Sequence, residues 1–188
     1  MKRICLHHLL LRLLVVALVL GSARLPQASL LTSMSLRDLV AVSDRIVVAK
    51  VISVQAAWDP SHHKILSTID VDIEQTWKGE TTTGRTSIVQ PGGTVGELEM
   101  TVGGMPSFAP GERALLFLHG RSHPQVVGMS QGKRTLERDG QSGRWRLQSP
   151  DMTCVVERGP DARLRHAQPT ASVDLDDFHA QIDSLLGQ

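Results

Sequence analysis

The sequence contains no tyrosine and few other aromatic residues, with three phenylalanines and three tryptophans among 188 residues. Surfaces that bind single-stranded nucleic acid commonly stack their ligand on aromatic rings, and sugar-binding surfaces do the same, so this scarcity counts against both functions. The charges nearly cancel, since 20 Lys and Arg residues stand against 19 Asp and Glu. A balanced charge gives no electrostatic reason to expect nucleic acid or an anionic membrane as a partner.

Signals for catalysis are also scarce. The metalloprotease sequence His-Glu-x-x-His is absent, and the glycine-rich segments lack the Gly-Lys-Ser/Thr ending of a phosphate-binding loop. We identify no combination of Ser, His and an acid arranged for nucleophilic catalysis. The sequence therefore predicts a protein that is not an enzyme, with no catalytic residue and no cofactor.

The N-terminal residues have the pattern of a cleaved export signal. Lys2 and Arg3 precede an apolar run, residues 9–20, that is broken only by Arg12 and is followed by small residues. A membrane-spanning helix needs roughly 20 apolar residues, so we expect no stable membrane anchor. Cleavage is predicted after Ala23, with the position after residue 28 as the alternative. The mature protein is then secreted or periplasmic.

Cysteine is nearly absent from the predicted mature chain. Cys5 lies in the signal, which leaves Cys154 as the single thiol. No intramolecular disulfide can form, although small exported domains usually rely on such bridges. We therefore expect ordinary packing to hold the fold together. Cys154 has no identifiable His and acid partners, so we do not predict it as a nucleophile.

Local patterns predict a short helix followed by a β-hairpin. Ser35 and Asp38 have the spacing of a capping box and start a helix over residues 35–44. Residues 46–54 are rich in β-branched side chains and read as a largely buried strand. Residues 69–74 alternate between apolar and acidic, the pattern of a strand with one face in the core. We predict that these two strands pair as a hairpin.

The remaining chain reads as short strands punctuated by glycine and proline, ending in a helix. The predicted strands are residues 85–90, 97–102, 113–118, 125–130, 133–138 and 144–147. Such spacing favours a barrel or a sandwich, with residues 113–118 as a central strand. Residues 174–186 carry apolar side chains at helical spacing, so this helix should pack its apolar stripe on the barrel.

Five short motifs resemble those of a group of uncharacterised exported bacterial proteins. The motifs are Ala56-Ala57-Trp58-Asp59-Pro60, Trp77-Lys78-Gly79, Gln90-Pro91-Gly92-Gly93, Phe108-Ala109-Pro110-Gly111-Glu112-Arg113 and Gln131-Gly132-Lys133. They extend over about half of the chain. The group is similar to small OB-like barrels, the shape of netrin-like modules and of tissue inhibitors of metalloproteinases. A likeness of fold implies no activity by itself.

The resemblance completes the predicted architecture: a mainly β fold, built as a small OB-like β-barrel with a short N-terminal helix and a docked C-terminal helix. We divide the chain into five parts. These are a signal peptide (1–23), a linker (24–34), a β-barrel domain (35–150), a surface coil (151–170) with a short strand around residues 154–156, and a C-terminal helix (171–188).

The best candidate for a metal site is Asp59 with His62 and His63. Imidazole nitrogens and a carboxylate suit zinc or copper, but adjacent histidines in an extended segment point in opposite directions. A solvated loop is the favoured interpretation, so no metal site is predicted, and binding at these three residues stays open. The acidic side chains of residues 69–74 have the chemistry of a calcium site. A solvent-facing strand surface explains them more simply.

The candidate binding residues lie in the most distinctive turns. Loops at the ends of a barrel carry function more often than strands do. Glycine in such loops also has a purely structural explanation, since it permits positive φ at tight corners and bulges. The candidates are Trp58, Asp59, Gln90, Pro91, Gly92, Gly93, Gly103 and Gly104.

These observations favour an exported, non-catalytic module that binds another secreted protein or an envelope component. One alternative is a regulator or inhibitor of an exported metalloprotease, which only the resemblance implies. Those inhibitors bind the catalytic zinc through an N-terminal cysteine, and neither predicted cleavage point exposes one here. The other alternative is a metal-dependent hydrolase using Asp59, His62 and His63. The partner's identity and the oligomeric state do not follow from the sequence.

Overall fold

A computed structural model describes residues 30–80 and 84–187 of the chain. The predicted signal peptide, both predicted cleavage points and most of the predicted linker lie outside these residues. Within the described residues, no helix is both long enough and apolar enough to cross a membrane.

The described chain is mainly β, with two α-helices. Its strands are β1 (Leu31–Thr32), β2 (Arg45–Trp58), β3 (Ile65–Lys78), β4 (Gly84–Pro91), β5 (Gly93–Val95), β6 (Leu98–Met100), β7 (Arg113–His119), β8 (Gln125–Val126), β9 (Lys133–Arg138), β10 (Trp145–Leu147), β11 (Val155–Arg158), β12 (Leu164–His166) and β13 (Val173–Asp174). The helices are α1 (Leu36–Val42) and α2 (Leu175–Leu186), and a short 3-10 helix covers Met129–Gly132.

Eight strands form one antiparallel sheet in the order β13-β10-β9-β7-β2-β3-β4, with β8 paired to β7 beside β9. The predicted hairpin is confirmed as β2 and β3, and the predicted central strand is confirmed as β7. The pairing of β2 with β3 shifts register at three places along β2. Such irregularities bend a strand and increase its twist, which lets this sheet curl.

The sheet is curled but open, so the mainly β prediction is confirmed and the predicted OB-like barrel does not close. In the described chain, β4 and β13 end the strand order and do not pair with each other. The remaining strands form two smaller sheets: β5 with β6, and β1 with β11 and β12. β1 pairs in parallel with β11. Two residues of such a strand carry no recognisable pattern, so sequence analysis placed β1 in a linker and most of β11 and β12 in a surface coil.

Two of the further predicted strands differ from the structure. Residues 97–102 supply only the three-residue β6, which pairs with β5 outside the main sheet. Residues 125–130 supply the two-residue β8, after which the chain turns into the 3-10 helix. Glycine at position 128 has a φ of 63°, a left-handed conformation that ends an extended strand.

The two faces of the sheet bury separate hydrophobic clusters. One face packs against both helices, with Ile46 and Phe117 from the sheet and Ile182 from α2 among its members. The other face lies inside the curl and includes Ile69, Val71 and Ile73, as the alternating pattern predicts. Asp70 belongs to the opposite face of β3, where Ser53 and Ser87 donate hydrogen bonds to its carboxylate at 2.8 and 2.6 Å.

Both helices begin where the capping residues predict. Ser35 and Asp38 form the capping box of α1, since each side chain bonds the other residue's backbone N–H. The side chain of Asp174 accepts a hydrogen bond from the N–H of Asp176 and caps α2.

The Trp77-Lys78 pair at the end of β3 fastens the helices to the sheet. Lys78 Nζ donates to the carbonyls of Val40 and Ser43 at 2.6 and 2.7 Å, at the carboxyl end of α1. Trp77 stacks on His179 of α2, with ring centroids 4.2 Å apart. The motif therefore marks a joint between the sheet and both helices.

Candidate functional site

The structure places Trp58 and Asp59 at the tip of the β2–β3 hairpin. The carboxylate of Asp59 accepts hydrogen bonds from the Ser61 hydroxyl at 2.5 Å and from the N–H groups of His63 and Lys64 at 2.8 and 3.0 Å. Led by the Ser61 bond, these hydrogen bonds lower the pKa of Asp59 to about 2. Both carboxylate oxygens are therefore occupied in holding the turn.

The turn is not arranged as a metal site. His62 has a φ of 55° and lies against Trp58, with the ring centroids 6.3 Å apart. In residues 30–80 and 84–187, no group of three or more His, Cys, Asp and Glu side chains is placed to hold a metal ion. Asp59 acts as a turn-forming residue, since its side chain accepts from the Ser61 hydroxyl and from the backbone N–H groups four and five positions later.

Gln90 to Gly93 lie beside the hairpin tip. The N–H of Gly92 donates to the carbonyl of Ile65, the residue paired with Trp58, at 2.9 Å. Gly93 has a φ of 129°, and a Cβ there would lie 2.5 Å from Ser67 Oγ and 2.8 Å from Ala56 Cβ. Glycine is thus required here by close packing between strands as well as by backbone conformation.

Gly103 and Gly104 adjoin this region, since Gln90 Nε2 donates to the carbonyl of Pro106 at 2.8 Å. A Cβ on Gly104 would lie 2.5 Å from Leu31 Cδ1, and its φ is 81°. A cavity of about 120 Å³ lies next to Gln90 and Pro91, between β4 and β8. Ligand sites usually enclose about 300–1,000 Å³, so this space is small for one. The role of the predicted binding residues in binding stays a prediction.

A serine motif that sequence analysis overlooked lies in the 3-10 helix. Gly128-Met129-Ser130-Gln131-Gly132 has the spacing Gly-x-Ser-x-Gly, which in some hydrolases presents a nucleophile. Ser130 is 2% exposed here, and its hydroxyl donates to the carbonyl of Asp151 at 2.6 Å. A nucleophilic serine needs an accessible hydroxyl and an adjacent base. This serine is a structural residue that ties the turn to the segment before β11.

A larger cavity, of about 390 Å³, lies where α1, α2 and β9 meet. We call it the interhelical cavity. Its apolar walls include Met34, Leu39 and Phe178, and its polar lining includes Gln131 and Arg134. Its volume falls within the range of small-molecule and peptide-end sites. It is the strongest candidate for a functional site in the described part of the chain.

Gln131 fixes one wall of the interhelical cavity. Its side-chain oxygen accepts from the N–H of Met34 at 2.8 Å, and its amide nitrogen donates to the carbonyls of Thr32 and Gly128 at 3.2 and 3.4 Å. Gln131 is 3% exposed. A buried amide with both ends bonded holds the segment between β1 and α1 at a defined distance from the sheet.

Arg134 is the unusual residue of this cavity. It is 9% exposed, and its Nε has no hydrogen-bond partner among the residues that the structure describes. Its Nη1 lies 3.4 Å from Thr170 Oγ1, and its guanidinium carbon lies 4.9 Å from the Phe178 ring centroid. Burial lowers the pKa of Arg134. Thr170 and Phe178 line the cavity too, so the guanidinium lies among lining residues, with its Nε buried.

Sequence analysis treated Arg134 as an ordinary member of a short strand. One available signal was its spacing from Leu136, which places both side chains on the same face of β9. Leu136 is buried in the cluster beneath the helices. An arginine on the core-facing side of a strand is exceptional, because buried charges are normally paired.

Comparisons with protein-family models, with curated protein sequences and with solved structures found no match to this chain. The resemblance carried by the five motifs therefore stays a prediction.

Proposed function

We propose that this protein is a non-catalytic binding module that works after export and holds a segment of another exported protein in the interhelical cavity. The observation that carries the proposal is the cavity itself, about 390 Å³ in volume, with apolar walls and a buried cation at its lining. Apolar lining with a few fixed polar groups is the usual composition of a binding site.

The construction of the cavity supports binding by a preformed site. Its walls come from separate parts of the chain: the segment before α1 with the start of that helix, the residues around β9, the stretch from Pro150 to Val173, and the helix α2. Gln131 and Lys78 hold α1 and its leading segment in place through hydrogen bonds to their backbone. A site that is rigid before binding loses less entropy when its ligand arrives.

The OB-like relationship is part of this proposal. It is supported by the curled antiparallel sheet with a long bent hairpin, although the sheet is open. Inhibition of an exported metalloprotease and metal-dependent hydrolysis stay predictions, and no contact among the described residues favours either over binding.

Photo-cross-linking tests the proposal. A photoreactive amino acid replaces Gln181, an exposed α2 residue that lines the cavity, in the full chain produced by its own organism. Asp183 is the matched control, because it is exposed on the same helix but does not line the cavity. Irradiation should give one discrete adduct from position 181 and none from 183. The proposal is wrong if neither position, or both equally, yields an adduct.

A further inference from the structure

On the basis of the proposed function, we infer that the interhelical cavity recognises the C-terminal carboxylate of its partner polypeptide, with Arg134 as the recognising residue. The carboxylate pairs with the guanidinium, and the partner's last side chain lies against the apolar walls.

Arg134 lacks a counter-ion among the described residues. Among the described residues, no carboxylate lies within 4.0 Å of its guanidinium, and the contact with Thr170 at 3.4 Å is long for a hydrogen bond. Removing a charge from water is costly unless it is paired and hydrogen-bonded. An arginine kept in this position at a cost to stability is typical of a site that a ligand completes.

The charges that line the cavity favour a ligand group with a single negative charge. Of the described residues that line the cavity, Arg134 is the one cation and Glu157 the one anion. A single guanidinium balances one negative charge, and its planar fork matches the geometry of a carboxylate. A phosphate carries close to two negative charges at neutral pH, and a single guanidinium would leave one of them unbalanced.

A C-terminal carboxylate fits the cavity better than the side chain of a mid-chain Asp or Glu. A mid-chain Asp or Glu brings peptide groups on both of its sides, and each needs a hydrogen-bond partner if it is buried. A C-terminal residue brings one peptide group, and its side chain lies next to the carboxylate. The apolar walls include Met34, Leu39 and Phe178, and the Phe178 ring centroid lies 4.9 Å from the guanidinium carbon, which suits an apolar last residue.

Calorimetric titration of the purified protein tests the inference with three peptides. The first is N-acetyl-Ala-Leu with a free carboxylate, and the second is its C-terminal amide. The third is N-acetyl-Ala-Glu-Ala amide, which carries its carboxylate on a side chain. The free acid should bind at least about tenfold more tightly than either of the others, as expected for one charge-assisted hydrogen-bonded pair.

Two arginine variants assign the effect. Arg134→Met should weaken binding of the free acid at least about tenfold. Arg138→Met is the matched control, since Arg138 lies on the same strand and the same face but is exposed and does not line the cavity. Its affinity should stay within about twofold of the wild type. The thermal midpoint of Arg134→Met should equal or exceed that of the wild type, because an unpaired buried charge is removed.

Equal binding of acid and amide, retained binding by Arg134→Met, or equal losses in both variants would overturn the inference. Tighter binding of N-acetyl-Ala-Glu-Ala amide would instead show that the cavity recognises an acidic side chain within a partner's loop. These failures can be told apart from failure of the proposed function. If the adduct at position 181 persists in Arg134→Met, the protein still binds a partner in the cavity, and only the inference of carboxylate recognition fails. If the adduct is absent from the wild type, the proposed binding function itself is contradicted.

Discussion

Lys133 Nζ lies 2.5 Å from Oε1 of Glu112, and both side chains are largely buried, at 9% and 14% exposure. The pair joins the turn before β7 to the start of β9. Glu112 also accepts from the Thr135 hydroxyl and from the N–H of Ala109. Two of the motifs that carry the resemblance, residues 108–113 and 131–133, therefore meet at one ion pair. Their shared residues serve the architecture of the fold.

Breaking this pair should destabilise the protein strongly. We expect Glu112→Gln to lower the free energy of unfolding by about 3–5 kcal/mol, because it leaves the Lys133 ammonium buried without a counter-charge. Urea unfolding followed by circular dichroism measures the loss. Replacing both residues, as Glu112→Leu with Lys133→Met, should recover part of it, because no unpaired charge stays buried, while the Thr135 hydroxyl and the Ala109 N–H lose their acceptor.

An exposed ion pair provides the control for that experiment. Arg121 and Glu80 lie 3.9 Å apart with both side chains more than 80% exposed, so Arg121→Met should change stability by less than about 1 kcal/mol. A loss in Glu112→Gln no larger than that in Arg121→Met would show that burial does not strengthen the Lys133–Glu112 pair.

Acid should release the hairpin tip through Asp59. Its pKa is lowered from 3.8 to about 2 in the folded protein, so its carboxylate stabilises the turn above its ordinary pKa. That stabilisation is lost as the pH falls from about 4 towards about 2. The amide resonances of His63 and Lys64 should report a titration with a midpoint near 2. Asp59→Asn should remove this step, and a midpoint near 4 would contradict the hydrogen-bonded turn.

The inner cluster should depend on the alternation along β3. Ile69 is fully buried, so Ile69→Ala is expected to cost about 2–5 kcal/mol in the free energy of unfolding. Asp72→Asn, on the opposite face, should change it by less than about 0.5 kcal/mol. Asp70 is a poorer control, since its carboxylate accepts from Ser53 and Ser87. Similar losses in Ile69→Ala and Asp72→Asn would reverse the assignment of the faces.

Gln131 should control the segment that leads into α1. Gln131→Ala leaves the N–H of Met34 and the carbonyl of Thr32 without their partner, which should cost about 1–3 kcal/mol. Hydrogen exchange followed by mass spectrometry should show faster exchange in residues 31–36 and unchanged exchange in the β2–β3 hairpin. Uniform acceleration across the chain would mean that Gln131 acts only through global stability.

The elements that sequence analysis located are those with local signals. The capping box from Ser35 to Asp38 spans four residues and predicts the start of α1. The alternation around Ile69 predicts both the strand and its buried face. What it missed depends on distant partners. β1 is two residues long and exists because β11, more than 120 positions later, pairs with it.

The candidate site was missed for the same reason. Arg134 is an ordinary residue in the sequence of a short strand, and it becomes exceptional only where α2 covers it. The predicted binding residues, by contrast, stand out in the sequence because turns need glycine, proline and aspartate. Asp59 and Gly93 are accounted for by their own loops and strands. Turn residues are thus conspicuous in the sequence, whereas the cavity forms only when distant segments of the chain pack together.

Strands β2 and β7 send alternate side chains into opposite clusters, with Ile46 and Phe117 on the helical side and Val47 and Leu116 inside the curl. The two layers share these central strands, so neither layer can lose them without exposing the other. Heat should therefore melt both layers in a single cooperative step, and a calorimetric enthalpy equal to the van't Hoff enthalpy would be its signature.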